Sequence, residues 1–357
     1  MITGNKGEWS EIYALLKLLG DKKLHPGNSQ IKKIENLFYP ILKILRTDVN
    51  GSFEYSIDDD IVIISGTQEV FRIPIFEFQK KAEILLTEIK NNSGAFSVPE
   101  IEEFMHSIKC LSLKASSTSK TDITIVVHDL MTGLQPTLGF SIKSQLGNPA
   151  TLLNAGETTN FIFEITGLVL NQDQILRINT IASSSKIKDR LLEIKKLGGD
   201  LKFVRTQRNI FSNNLILIDS FLPQILADLV FNFYTSNQSN IEELLDMTES
   251  KNPLGYDTTE NHLFYNYKMK RFLSDIALGM MPSKVWTGEY EANGGYLVVK
   301  SDGEILCYHI YNKNEFENYL LANTKLETAS SGKHGFGTVY EESGNQFIKL
   351  NLQIRFK

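Results

Sequence analysis

Cysteine is almost missing from this chain: Cys110 and Cys307 are the two present, far apart and without CxxC spacing. That excludes a disulfide framework and a cysteine-based zinc site, and it suits a reducing compartment. The six histidines are scattered, and no pair has metal-ligand spacing. No uninterrupted run of about 20 apolar residues, as a membrane span needs, occurs. The start, MITGNKGEWSEIYALLKLL, lacks the charged-then-apolar order and the small-residue cleavage site of a signal peptide. No membrane segment and a cytoplasmic location are therefore expected. An excess of positive charge is also lacking, since 37 Lys+Arg face 42 Asp+Glu for a net charge of −5. This argues against a protein that coats nucleic acid nonspecifically. There is no internal repeat and no low-complexity tract.

What is present belongs to a folded protein. The chain has 357 residues, 42% hydrophobic and 22% charged, enough for a substantial core and for two lobes or one large mixed domain. Against the acidic average, the window from Lys195 to Arg208 is locally basic, with Lys195, Lys196, Lys202, Arg205 and Arg208 against Asp200.

Apolar periodicity places a first helix over residues 8–19, stopped by Gly20, with Glu8 and Glu11 on one side of it. A second helix is expected over Ile31 to Arg46, ended or kinked at Pro40. Residues 52–76 alternate as strands around an Asp58-Asp59-Asp60 turn. Helices follow at 77–91 and 98–109, and then a polar connector at Ser116 to Ser119. Two strands, Asp122 to Val127 and Leu138 to Ser144, flank the loop HDLMTGLQPT as a β-hairpin spanning 120–147. Beyond it come a short helix PATLLN, a strand TNFIFEI, a helix at 186–197 and a strand at 201–204. The apolar run from Asn213 to Tyr234 reads as one buried helix kinked at Pro223, and 261–281 as another. Two hairpins, one about Asp302-Gly303 and one about Ser343-Gly344-Asn345, enclose a helix EFENYLLANT. The fold class is α/β, a mixed α+β architecture with a central mixed sheet flanked by helices and a C-terminal β-hairpin and helix region. Residues 1–208 are expected to carry the N-terminal helices and the hairpin, and 209–357 to form a helical and β-hairpin region, the alternative being one intertwined domain.

The hairpin 120–147 carries the chemistry. Asp122 opens one strand, and Ser141 and Lys143, two apart, share one face of its partner. Phe140 and Ile142 then face the core. A lone lysine on an apolar strand can also be an edge-strand solubility device. Next to an aspartate it becomes something else: phosphodiester hydrolysis needs carboxylate oxygens for a divalent ion and a cation for the attacking water or phosphate.

This pattern resembles the PD-(D/E)xK nuclease core, with Thr121-Asp122 standing for its Pro-Asp and Ser141-Ile142-Lys143 for its acid-x-Lys. The replacement of proline by Thr121 is harmless. The replacement of the second acid by Ser141 is not, because serine supplies no charge. Glu11 is the favoured substitute, on a helix like the carboxylate that some nucleases of this class aim at the metal. Glu157 matches a variant in which S-x-K is followed by a distant Glu, and Gln145 could orient water or metal without adding charge. Asp129 reads as a turn residue.

Five strings spread over nearly the whole length, GNKGEWSEIYALLKLL, FSIKSQLGNPATLLNAGETTNFIFEI, ALGMMPSKVWTGEY, GGYLVVKSDGEILCYHIY and KLNLQIRF, resemble the HpaII-type restriction endonucleases. The resemblance implies a Mg²⁺-dependent Type II enzyme that cuts double-stranded DNA at a short palindrome, CCGG in the namesake. It also implies a homodimer on that palindrome and a methyltransferase as genetic partner. Bidentate arginines suit guanine in the major groove. The candidates for DNA contact are Arg205, Gln207 and Arg208 after a strand, Lys268 and Arg271 on a helix, and Gln353 with Arg355 on one strand face. The alternative is a DNA-binding protein that does not cleave, on a nuclease fold that has lost its acid at position 141.

Overall fold

The computed structural model describes residues 1–48, 51–66, 70–114, 121–290, 292–309 and 312–357. The connector expected at Ser116–Ser119 lies outside the described residues. The chain forms two compact units, Met1–Ala150 with Ala277–Gly279 and Tyr290–Tyr319, and Thr151–Ile276 with Met280–Glu289 and Leu320–Lys357. The chain thus passes between the two units more than once. The architecture is mixed α/β.

The first unit is built on a nine-stranded sheet in the order 23–26, 305–308, 295–299, 137–144, 123–127, 39–48, 51–58, 61–65, 70–74. Lys23–Pro26 also pairs with the start of Tyr39–Asp48, Leu24 opposite Tyr39. The pairings from 23–26 through 39–48 therefore close on themselves. Within that ring Ile123–Val127 and Thr137–Ser144 form the expected antiparallel hairpin, Ile123 opposite Phe140. Thr137–Ser144 runs parallel to Gly295–Val299 on its other side, so the hairpin is central and not an edge.

The helix Lys6–Asp21 packs beside this sheet because Trp9, Ile12, Tyr13, Leu15, Leu16 and Leu19 recur at helical spacing, and all are buried. Each such side chain contributes on the order of 1.5–3 kcal/mol by leaving water. Asn5 caps it: its Oδ1 accepts the Glu8 N–H at 3.1 Å, and Glu8 Oε2 accepts the Asn5 N–H at 2.8 Å. The helix runs through Gly20, the expected stop, to Asp21. Gly20 serves close packing instead, since a Cβ there would come within 2.8 Å of Gln79 on the helix Ile75–Asn91.

Three expectations are corrected. The segment Ile31 to Arg46 is not a helix; Tyr39–Asp48 is a strand between two antiparallel neighbours. Pro40 pushes Tyr39 into the extended region and sits at a strand start, where a missing N–H is tolerated. PATLLN is not a helix either, because Thr151–Leu153 pairs with Ile354–Phe356. A single turn behind a proline has no energetic nucleus of its own. The apolar run at 213–234 is two helices, Asn209–Ile218 and Leu222–Thr235, bent by 110°. The break falls at Asp219, whose Oδ1 accepts the Phe221 N–H at 2.9 Å. Pro223 lies in the first turn of the second helix, where its lost donor costs nothing. Among the described residues no single helix is long and apolar enough to cross a membrane.

The second unit contains an antiparallel sheet in the order 200–206, 160–166, 345–351, 339–342 and a three-stranded sheet 151–153, 354–356, 324–326. The hairpin about Ser343 and Gly344 forms as expected, both residues taking positive φ (53° and 84°). The Asp58-Asp59-Asp60 run is a turn between two strands of the first unit, with Asp59 at φ 48°.

Candidate active site

Strand pairing brings the three hairpin residues together. The Asp122 N–H donates to the Phe140 carbonyl at 2.9 Å, which extends the ladder one step past Ile123. Asp122 Oδ2 accepts the Ile142 N–H at 2.7 Å and the Ser141 hydroxyl at 3.0 Å. Ser141 Oγ in turn accepts from Lys143 Nζ at 2.8 Å. The serine that stands where an acid is usual is thus a neutral bridge between the lysine and the aspartate. Among the described residues Asp122 Oδ1 takes no hydrogen bond, so one oxygen is anchored and the other is open.

Lys143 is half-buried, with its ammonium 4.8 Å from the centre of the Tyr296 ring on the neighbouring parallel strand. Burial pulls its pKa below the ordinary lysine value, while the charges of Asp122 and Glu11 pull it back up. Phe140 is fully buried and Ile142 packs against the same core. The alternation that sends Lys143 the other way is the one read from the sequence.

Glu11 comes to the site on the first helix. The neighbouring Ser10 Oγ lies 2.8 Å from Ser144 Oγ, which ties this helix to the strand Thr137–Ser144. Burial, and after it the negative charge of Asp122, push the Glu11 carboxyl up to about 7. Among the described residues neither of its oxygens takes a hydrogen bond or an ion pair. Glu8 is different: its carboxylate caps the helix and pairs with Lys114 at 3.0 Å, and its pKa is lowered by the Asn5 backbone bond first. A cleft of about 850 Å³ opens here, lined by Lys6, Glu8, Glu11, Lys114, Ile142 and Ser144 among others.

Lys114 is the residue that sequence reasoning missed. A single lysine in LSLKASS carries no periodicity, and its position depends on a distant buried pair. Arg46 and Asp48 lie 3.8 Å apart, and Asp48 Oδ2 accepts the N–H groups of Leu111 and Ser112 at 2.8 and 3.1 Å. This anchors the chain just before Lys114.

Among the described residues no three His, Cys, Asp or Glu side chains converge as a ready-made metal cage. Mg²⁺ does not require one, since it usually takes one or two carboxylates plus water and substrate phosphate. An open Asp122 oxygen and an unpaired Glu11 repelling each other fit such an ion, because a cation relieves both the burial and the repulsion.

Comparison with known proteins decides the class. A family model described as HpaII restriction endonuclease matches residues 5–356. The Type II restriction enzyme HpaII of Haemophilus parainfluenzae is 51% identical over 358 residues, covering 99% of this chain and 98% of that protein. The chain belongs to the HpaII restriction endonuclease family. No solved structure matches it.

For this family member most of the remaining candidates fall in the second unit. Glu157, in a 3₁₀ turn, is bonded at 2.6 Å to Arg208, so two residues singled out for different roles hold each other. Arg205 lies 3.7 Å from Glu342, and Gln207 accepts from Asn160 at 2.8 Å. Lys195 pairs with Asp200, so with Arg205 and Arg208 at least three cations of the basic window face an acid. Lys268 is not a solvated face residue: it pairs with Asp219 and lies near the rings of Phe221 and Tyr256. Arg271 is half-buried on the helix Phe264–Leu278. Arg355 pairs with Glu327 at 2.6 Å, and the Gln353 carbonyl accepts the Glu327 N–H. In the first unit, the exposed Gln145 donates its N–H to the Val299 carbonyl at 2.8 Å, and Asp129 closes its turn by accepting from Met131 and Thr132.

Proposed function

We propose that this protein hydrolyses phosphodiester bonds of double-stranded DNA at a short palindrome, with Mg²⁺ held by Asp122 and Glu11 and with Lys143 as the active-site cation. The observation that carries this reading is the half-anchored Asp122 carboxylate: one oxygen is locked by Ile142 and Ser141, the other takes no hydrogen bond among the described residues, and its charge raises the pKa of an unpaired Glu11. CCGG is the candidate sequence, carried over from the family resemblance. The strands 123–127 and 137–144 would be the heart of a PD-(D/E)xK core, and the second unit would contribute to recognition. A cytoplasmic homodimer, with a methyltransferase protecting host sites, completes the proposal.

In this scheme Ser141 does the mechanical work of the missing acid. By accepting from Lys143 and donating to Asp122, it links the ammonium, two residues along its own strand, to the carboxylate across the hairpin. A bound Mg²⁺ would supply charge to stabilise the phosphoryl oxygens and to acidify water. Lys143 holds its proton at Nζ over the Tyr296 ring and presents it to the phosphate or the attacking water. Its half-buried setting strengthens that interaction relative to bulk water. Glu157 would be a salt-bridge partner of Arg208 rather than the relocated acid.

Digestion of plasmid DNA with Mg²⁺, followed by sequencing of the fragment ends, tests the reading. Discrete fragments with one common palindrome support it. Salt-dependent binding without cutting, under Mg²⁺ and Mn²⁺ alike, would favour the non-cleaving alternative, for which the neutral Ser141 is the motivating observation.

A further inference from the structure

Glu11 and Asp122 lie in the field of two lysines of different character, of which Lys114 lines the cleft with Glu8 and Glu11. Lys143 is half-buried and fixed to Ser141, whereas the Lys114 side chain is 59% exposed and held through Glu8, one helical turn before Glu11. Lys114 is also in the electrostatic field of Glu11 and Asp122. Its partner Glu8 is already satisfied on its other oxygen by the Asn5 N–H. An exposed ion pair of this kind is weak, so the ammonium can leave at little cost.

We propose that Lys114 is a counter-ion latch: in the DNA-free protein its ammonium partly neutralises the Glu8, Glu11 and Asp122 group and competes with a divalent cation for it. The idea rests on the metal reading of Asp122 and Glu11 given above. Its basis is spatial, for Lys114, Glu8 and Glu11 line the same cleft of about 850 Å³. A doubly charged ion entering at Asp122 and Glu11 meets repulsion from Lys114, and the latch swings out into the cleft. Lys114 would be a positioning residue, setting how much metal is needed before the carboxylates are engaged. A lysine that merely held the helix cap would have no such effect.

The test is Mn²⁺ binding to the full-length protein without DNA, followed by calorimetry at moderate salt. Lys114→Gln is expected to bind about two- to fivefold tighter than wild type, the range spanned by an exposed ion pair. Lys114→Arg keeps the charge and is expected to bind as wild type does. Lys17→Gln, the same charge change farther along the helix, is expected to leave affinity unchanged. Unchanged or weaker binding by Lys114→Gln would overturn the latch, as would an equal gain in Lys17→Gln. Absence of Mn²⁺ binding by both wild type and Lys114→Gln would overturn it too, because the latch acts in the free protein. Asp122→Asn separates this from failure of the site itself: if that variant binds Mn²⁺ like wild type, the metal reading falls and the latch with it.

Discussion

Glu11 is placed where its charge harms the fold, and Glu11→Gln makes that cost measurable. Its carboxyl is pushed from 4.5 to about 7, by burial first and by Asp122 second. As pH rises past 4.5 the unfolded chain gives up this proton while the folded chain keeps it, so the folded state binds more protons and stability falls with rising pH. The penalty is absent well below pH 4.5, grows between 4.5 and 7, and is fully present above 7. At about 1.4 kcal/mol per pKa unit, it reaches roughly 3 kcal/mol at pH 8 as an upper bound. Glutamine keeps the shape and carries no charge. Without metal, Glu11→Gln should therefore be more stable than wild type at pH 8, and its advantage should grow by about 2 kcal/mol between pH 5 and pH 8. Urea unfolding in EDTA at both pH values measures this. The same variant should cut DNA poorly, so stability and activity move in opposite directions. An advantage that is absent, or independent of pH, would refute the placement of Glu11 in a buried, repelled position.

Other consequences follow from individual contacts. Ser141→Ala removes the bridge between Lys143 and Asp122 but no charge, so cleavage should drop by about tenfold or more while DNA binding holds; single-turnover kinetics would show it. Arg208→Ala breaks an exposed pair with Glu157 and should cost the fold no more than about 1 kcal/mol. If Arg208 reads a guanine, binding should fall by roughly 1–3 kcal/mol on the intact site and far less on a variant at one position. Equal loss on all sites would assign it to phosphate. His309, buried against Tyr39 and Phe140, is lowered to about 4 by burial. Below pH 6.5 the unfolded chain takes up this proton first, so stability should decline from pH 6.5 toward 4, and His309→Phe should flatten that part of the profile.

The hairpin was legible because its information is local. A two-residue period separates Ser141 and Lys143 from Phe140 and Ile142, and the strand keeps it. The first helix was legible for the same reason, and with it the position of Glu11 along that helix. The strand at Tyr39–Asp48 was not, since ILKIL fits either period and only two flanking strands decide it. Thr151–Leu153 depends on Ile354–Phe356 at the far end of the chain. Long-range pairing also hid the neutralisation of Arg205, Arg208, Lys268 and Arg355, each of which meets an acid remote in sequence. Lys114 was invisible for that reason as well, because Asp48 holds the segment before it.

Cleavage of plasmid DNA in Mg²⁺ by wild type, Asp122→Ala and Lys143→Ala, with binding of the same DNA measured in parallel, tests the central claim most directly. Discrete fragments from wild type, loss of at least about a hundredfold in rate for both variants, and retained binding are the expected result. Undiminished cutting by either variant would contradict the account.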